Sequence, residues 1–185
     1  MRWGTLAILV YVVVLLQTTA GRLLTFKAGA AGFVSPDLAA VVVVFLALHA
    51  ACATDAMLAA WMFGLAVDLT AAGGPGHATV VGPMAMAYAL AAGGLVRIRE
   101  AFFRERALTQ ALLTLLFCFA CHAAWVSAQS LLNYHELTWP NYWRMMLQVV
   151  LSSFYSAALT PLGHYLLARR GRWFLRSPPP RRGRR

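Results

Sequence analysis

Apolar residues along the chain fall into six long stretches, separated by short polar or glycine-rich breaks. A helix needs about 20 mostly apolar residues, with a range of roughly 17–25, to cross the hydrocarbon core of a bilayer. Six stretches approach that length, at about Trp3–Ala20, Pro36–Ala53, Ala56–Ala72, Ala78–Val96, Ala107–Leu132 and Arg144–Ala168. The pattern predicts an all-α integral membrane protein, folded as a six-transmembrane-helix bundle.

The breaks between the stretches predict how the helices connect. Only Thr54 and Asp55 separate the second stretch from the third, which predicts a tight antiparallel hairpin. The run Gly73-Gly74-Pro75-Gly76 ends the third stretch, because glycine permits positive φ and proline lacks an N–H donor. The aromatic segment 135–143 is expected to be an outer loop in the headgroup layer.

Composition agrees with membrane insertion. Hydrophobic residues make up 61% of the chain, against about 45–50% in soluble domains. Charged residues make up 12%, too few to cover a soluble surface. The formal net charge is +10, but the positive residues flank apolar stretches. We therefore expect them to face anionic lipid headgroups and exclude nucleic acid as a partner.

The positive residues also predict the orientation in the membrane. With the N-terminus inside, the inner segments hold one, four and eight Lys or Arg residues, and the outer segments hold three. That distribution satisfies the positive-inside rule and places both termini in the cytoplasm. The predicted inner cluster consists of Arg97, Arg99, Arg104, Arg106, Arg169, Arg170 and Arg172.

Two boundaries follow from the same pattern. Residues 1–170 are expected to form the transmembrane domain, and residues 171–185 a basic, proline-rich cytoplasmic tail that extends from it. An alternative is that the first stretch is a signal peptide cleaved after Thr18-Thr19-Ala20, which would leave five spans.

Ionisable residues within apolar stretches are candidates for structural or transport roles. A charged group at a helix centre costs roughly 2.5–3.5 kcal/mol on translocon scales, so such groups usually face the bundle interior. Asp37 follows Pro36 at the start of the second stretch, where it is expected to cap free N–H groups. Asp68 lies near the end of the third stretch, and we expect His77 to donate a hydrogen bond to its carboxylate. The alternative for Asp68 is a proton or ion path.

No motif for catalysis or for a cofactor fits its position in this sequence. The run Cys118–His122 matches the C-x-x-C-H haem pattern, but it lies in the middle of an apolar stretch, so we interpret the cysteines as packing residues. The sequence contains no G-x-S-x-G and no H-E-x-x-H. We therefore predict a non-enzymatic protein with no cofactor and no metal.

Small residues recur at four-residue intervals in two stretches. Ala60 and Gly64 lie on the third, and Ala85, Ala89 and Gly93 on the fourth. Such spacing lets helix backbones approach closely. We expect these faces to pack mostly within the bundle.

Four segments together resemble the family of the bacterial rod shape-determining protein MreD. Pro36-Asp37-Leu38 opens the second stretch, and Gly64–Leu69, with Asp68, closes the third. Gly73-Gly74-Pro75-Gly76-His77 leads into the fourth, and Phe102–Arg106 precedes Gln110-Ala111-Leu112 in the fifth. The resemblance extends over residues 1–170; the cysteine pentad and the tail are outside it.

The resemblance implies an inner-membrane scaffold of the bacterial cell-elongation machinery, which maintains rod shape during peptidoglycan synthesis. Its implied partners are an MreC-like bitopic protein, the wall synthase RodA with its transpeptidase, and the MreB filament on the cytoplasmic side. It also implies a fold similar to the substrate-binding components of energy-coupling-factor transporters. A vitamin-binding subunit of such a transporter is therefore the alternative. Those subunits carry small residues four apart in the first span, whereas here Tyr11 follows Ala7.

Overall fold

The computed structural model describes residues 3–29, 32–71, 80–99, 106–132 and 139–170. Within these ranges the chain is all-helical apart from one short hairpin, and a helix forms in each of the six predicted stretches. The elements are α1 (Trp3–Leu23), β1 (Phe26–Lys27), β2 (Phe33–Val34), α2 (Leu38–His49), α3 (Ala53–Ala71), α4 (Pro83–Ile98), α5 (Ala107–Leu132) and α6 (Trp139–Arg170).

Helix α2 forms the centre of the bundle. Ten of its 12 residues are buried, and it contacts each of the other five helices. Twelve residues rise about 18 Å, which is less than the roughly 30 Å of a hydrocarbon core. The helix is therefore shorter than the predicted stretch Pro36–Ala53, and helical backbone alone does not extend over the full thickness of a hydrocarbon core in this segment. The helix starts after Asp37, which is extended and caps it, and stops at Ala50, whose ψ of 142° is extended.

A two-residue hairpin leads the chain from α1 into α2, and the sequence did not predict it. Phe26 pairs with Val34 and Lys27 with Phe33 in an antiparallel register. Gly32 closes the hairpin with a φ of +83°, a conformation that glycine adopts without steric cost.

Three further helix starts differ from the hydropathy boundaries. Helix α3 starts at Ala53 and not at Ala56, so Thr54 and Asp55 lie within it and residues 50–52 form the connection from α2. Helix α4 starts at Pro83, after Gly82 with a φ of +123°, and not at Ala78. Helix α6 starts at Trp139, so residues 139–143 are helical and not part of a loop. Pro140 is tolerated there because the first N–H groups of a helix have no intrahelical partner.

Small residues set the closest helix contacts, as their spacing predicts. A Cβ added at Gly64 of α3 would lie 2.7 Å from the Cα atom of Ala85 in α4. A Cβ at Gly163 of α6 would lie 2.8 Å from Cγ1 of Val41 in α2. Any larger side chain at Gly64 would meet backbone, which cannot rotate away.

Contacts at the helix ends show that neighbouring helices alternate in direction. Gln17, late in α1, bonds to Pro36 ahead of α2, and Asp68, late in α3, bonds to the start of α4. Arg99, after α4, bonds to Ala50 at the end of α2. One end of the bundle therefore contains the ends of α2 and α4 and the start of α5. It carries Arg97, Arg99 and Arg106, and we call it the basic end; the opposite end is the hairpin end.

The outer surface of the bundle is rich in large apolar side chains, and its interior is mostly apolar with a few buried polar residues. Helix α5 and residues Asn141–Arg169 of α6 are each long and apolar enough to cross a membrane, with mean hydropathies of 1.9 and 1.4. Large apolar side chains are exposed on all helices except α2. The buried polar residues among those described are Asp37, Asp68, Thr114, Gln129, Ser153, Ser156, Thr160 and His164.

Candidate functional site

The Asp37 carboxylate contacts residues of three helices in the interior. Its Oδ1 atom accepts a hydrogen bond from the Ala40 N–H at 3.0 Å, which caps α2 as its position after Pro36 predicts. Its Oδ2 atom accepts a hydrogen bond from the Tyr88 hydroxyl of α4. The Nε2 atom of His122 in α5 lies 3.3 Å from the same oxygen. Asp37 thus ties together the start of α2 and the middle of two other helices.

His122 faces two acceptors. Its Nδ1 atom lies 2.9 Å from the carbonyl oxygen of Cys118, and its Nε2 atom faces the Asp37 carboxylate. A neutral imidazole has only one N–H, so both contacts become hydrogen bonds only in the imidazolium form. In that form His122 and Asp37 make an ion pair inside the bundle. Cys118 and Cys121 are buried beside it, consistent with packing.

Side chains of α1 and α6 satisfy the non-helical backbone that precedes α2. Backbone outside a helix is tolerated at membrane depth only where protein or water satisfies it. Gln17 of α1 donates to the Pro36 carbonyl at 3.0 Å and accepts from the Leu38 N–H at 2.8 Å. From α6, hydrogen bonds join Gln148 to Phe33, Ser152 to Ser35 and Ser156 to Asp37, at 2.5, 2.5 and 2.8 Å.

Asp68 of α3 caps helix α4. Its Oδ2 atom accepts from the N–H groups of Gly82 at 2.9 Å, Met84 at 3.0 Å and Ala85 at 3.3 Å. Gly82, at the N-cap position, has no side chain to do so. The Oδ1 atom of Asp68 accepts from the Trp125 indole N–H at 3.1 Å. These partners give Asp68 a structural role; the expected partner His77 lies outside the described residues.

A third helix cap lies at the basic end, on the last turn of α2. Arg99 donates from one Nη atom to the carbonyl oxygens of Ala47 at 3.1 Å and Ala50 at 2.6 Å. These belong to the last carbonyls of α2, which have no partner within the helix. Arg99 is therefore a structural residue, whereas its position in the predicted inner cluster led us to expect a side chain that faces anionic lipid headgroups.

The other predicted residues divide into two groups. Pro36 and Gly64 are buried, Pro36 beside Asp37 and Gly64 against α4. Arg97, Arg106 and Arg169 are exposed. Outside the described residues lie Gly73, Gly76, His77, Arg104 and Arg172, and the side chain of Arg170, at the end of α6, is not described either.

Sequence reasoning missed the partners of both carboxylates. Tyr88 and Trp125 stand in apolar runs where nothing distinguishes them from lipid-facing aromatics. His122 and Gln129 carried a usable signal, because polar residues within a membrane span usually have a partner. Gln129 bonds to both the N–H and the carbonyl of Val80 at 3.3 and 2.9 Å, which fixes the chain just ahead of α4.

Two of the depressions on the described surface bear on function. A polar cleft of about 290 Å³ lies between α1 and α3 near the hairpin end, lined by Gln17, Thr18, Gly21, Thr25, Ser35, Val67 and Thr70. An apolar groove of about 260 Å³ lies between α4 and α5, lined by Ala91, Gly94, Leu95, Ile98, Leu113, Leu116, Phe117 and Ala120. Within the described ranges, no three His, Cys, Asp or Glu side chains converge as metal ligands.

Comparison with known proteins gives no relative: no family model, no curated protein and no solved structure matches the chain.

Proposed function

We propose that the chain is a six-pass protein of the bacterial inner membrane, with both termini in the cytoplasm. Three observations support this proposal: an exposed apolar surface, an interior in which polar groups pair with one another, and two helices of membrane-spanning length. The arginines of the basic end would then face the cytoplasm, in accordance with the positive-inside rule. The short helix α2 would lie inside the bundle and make no contact with lipid.

Within this membrane, we propose that the protein is a non-enzymatic adaptor of the cell-elongation machinery, as its resemblance to the MreD family implies. The observation that carries this proposal is how the polar interior is used. Each of the eight buried polar residues makes at least one hydrogen bond within the chain. Asp37, Asp68, Gln129, Ser156 and His164 bond to residues of other elements and so stabilise the bundle, whereas Thr114, Ser153 and Thr160 bond to carbonyls of their own helix. Because so many of the buried polar groups stabilise the bundle, we propose that binding takes place on the outer faces.

The face that best suits a partner helix lies on α6. Trp143, Leu147, Phe154, Leu162 and Tyr165 are between 41% and 68% exposed, and their spacing places them along one side of the helix. Aromatic anchors dominate the energy of many protein interfaces. We propose that this α6 stripe holds the single transmembrane helix of an MreC-like protein. The basic end would lie on anionic lipid, near the MreB filament, and RodA with its transpeptidase would join through the partner.

Co-purification tests the adaptor proposal. A tagged protein carrying Phe154→Ala and Tyr165→Ala should bind a co-expressed MreC-like partner roughly 30-fold more weakly, since each truncation of an interface aromatic costs of order 1 kcal/mol and about 1.4 kcal/mol corresponds to tenfold. The control is Ile8→Ala with Tyr11→Ala, two residues of similar exposure on α1, which should retain the partner. Loss in the control alone would place the interface on α1. No co-purification with the wild type would contradict the adaptor function.

The polar cleft near the hairpin end favours one other function, a vitamin-binding subunit of an energy-coupling-factor transporter. Its hydroxyl groups bond to backbone of their own helices: Thr18 to Val14 and Thr70 to Ala66. Because their hydrogens are donated to these carbonyls, the two hydroxyl groups can only accept hydrogen bonds from a ligand. Tight retention of a small molecule by the purified protein, lost in Thr70→Leu, would favour this alternative over the adaptor.

A further inference from the structure

The apolar groove between α4 and α5 is an open space at the basic end. A Cβ added at Gly94 would meet no atom within 4 Å, whereas a Cβ at the neighbouring Gly93 would lie 2.9 Å from the sulfur of Met57. Gly93 therefore faces α3 and the core, and Gly94 faces outward. Phe117 and Leu113 of α5 form the buried wall, and Leu116 and Ile98 flank the opening.

The groove is an apolar depression of about 260 Å³ that is open to the surface of the bundle. Its lining consists of aliphatic and aromatic side chains with glycine and alanine. The space matches a thin, flexible apolar chain.

An exposed arginine lies at the end of the groove. Arg97 follows Gly94 by three positions, which places it on the same side of α4, and it is exposed. Arg99, in contrast, is turned inward to the end of α2. Arg106 immediately precedes α5 and adds positive charge to the same end. An apolar groove that ends at an arginine is complementary to an amphiphile with an anionic head.

We propose that this groove binds one anionic phospholipid, with an acyl chain against Gly94 and Phe117 and the phosphate at Arg97. Arginine suits this role because its guanidinium can form two parallel hydrogen bonds to a phosphate. A flat lipid-facing surface would not select one lipid, but a groove with a charged end does. The site rests on the membrane insertion proposed above, but not on the adaptor function.

Native mass spectrometry of the purified full-length protein tests the site. The protein in detergent is mixed with equal amounts of phosphatidylglycerol and phosphatidylcholine that carry the same acyl chains. We expect the wild type to retain phosphatidylglycerol at least about fivefold over phosphatidylcholine. Gly94→Leu, which fills the groove, should lose the bound lipid. Gly4→Leu is the matched control, since Gly4 is also an exposed helical glycine with no atom within 4 Å of an added Cβ.

Arg97→Gln separates the headgroup from the acyl chain. This variant should still retain lipid but lose the preference for phosphatidylglycerol. Equal retention of both lipids by the wild type, undiminished retention by Gly94→Leu, or an unchanged preference in Arg97→Gln would each overturn the site. Partner co-purification is measured on the same variants. If the protein selects phosphatidylglycerol but retains no MreC-like partner, the result supports the lipid site and contradicts the adaptor function.

Discussion

Removal of the Asp68 carboxylate provides a stringent test of the structural role assigned to it. Asp68→Ala would leave three N–H groups of α4 without their acceptor, and those of Met84 and Ala85 are buried. A buried donor without a partner costs about 1–3 kcal/mol. The two buried groups alone predict a loss of roughly 2–6 kcal/mol in the free energy of unfolding.

The loss is measured by unfolding the detergent-solubilised protein in increasing mole fractions of SDS, followed by circular dichroism. Thr70→Ala is the control, because Thr70 is exposed on the same helix and bonds only to α3 carbonyls. It should change the free energy by less than about 0.5 kcal/mol. If Asp68→Ala is as stable as this control, Asp68 does not hold α4. If it folds normally but abolishes an ion flux or ligand transport, the transport alternative for Asp68 is correct.

A double-mutant cycle resolves the Trp125 contact. In Asp68→Asn the amide oxygen can still accept from α4, but the amide N–H₂ then faces the Trp125 indole N–H, donor against donor. Adding Trp125→Phe removes that conflict. The double variant should therefore be more stable than the sum of the two single effects by about 0.5–3 kcal/mol. Strict additivity would show that the two side chains do not interact.

Two other substitutions test the closest contacts in the bundle. Gly64→Ala should lower the free energy of unfolding by about 1–3 kcal/mol, because the new Cβ meets the α4 backbone. Gly94→Ala is the control and should be neutral or stabilising. Equal effects of the two substitutions in the SDS assay would contradict the α3–α4 packing. Tyr88→Phe should lower the free energy of unfolding by about 1–3 kcal/mol, because it removes the hydroxyl that donates to Asp37. Tyr165→Phe, on the exposed α6 stripe, is the control and should not change it. If Tyr88→Phe unfolds at the same SDS mole fraction as the wild type, the hydrogen bond to Asp37 does not stabilise the bundle.

Hydropathy predicts where helices exist but not where they end. The second stretch remains apolar through Ala50, Ala51 and Ala53, so composition alone extends it into a full span. The structure ends α2 at His49 because the backbone turns extended at Ala50 and Arg99 caps the last carbonyls. That cap comes from a residue about 50 positions away, which a local pattern cannot show.

The same division between local and distant contacts holds in the polar interior. The cap that Asp37 places on α2 is predictable, because it joins residues three apart and follows a proline. Its bonds to Tyr88 and His122 join helices that are distant in sequence and depend on how the bundle closes. For Asp68, the sequence predicts a structural role from its place in the membrane span, but it cannot show that α4 backbone and Trp125 are its partners.

The central claim, a multi-pass bundle with its basic end in the cytoplasm, is tested most directly by cysteine labelling. In a variant with the three natural cysteines replaced, a single cysteine is placed at Lys27 near the hairpin end or at Arg169 near the basic end. A membrane-impermeant maleimide should label Lys27→Cys in intact cells, and Arg169→Cys only after the membrane is permeabilised. Labelling of Arg169→Cys in intact cells, or recovery of the protein in the soluble fraction without detergent, would contradict the account.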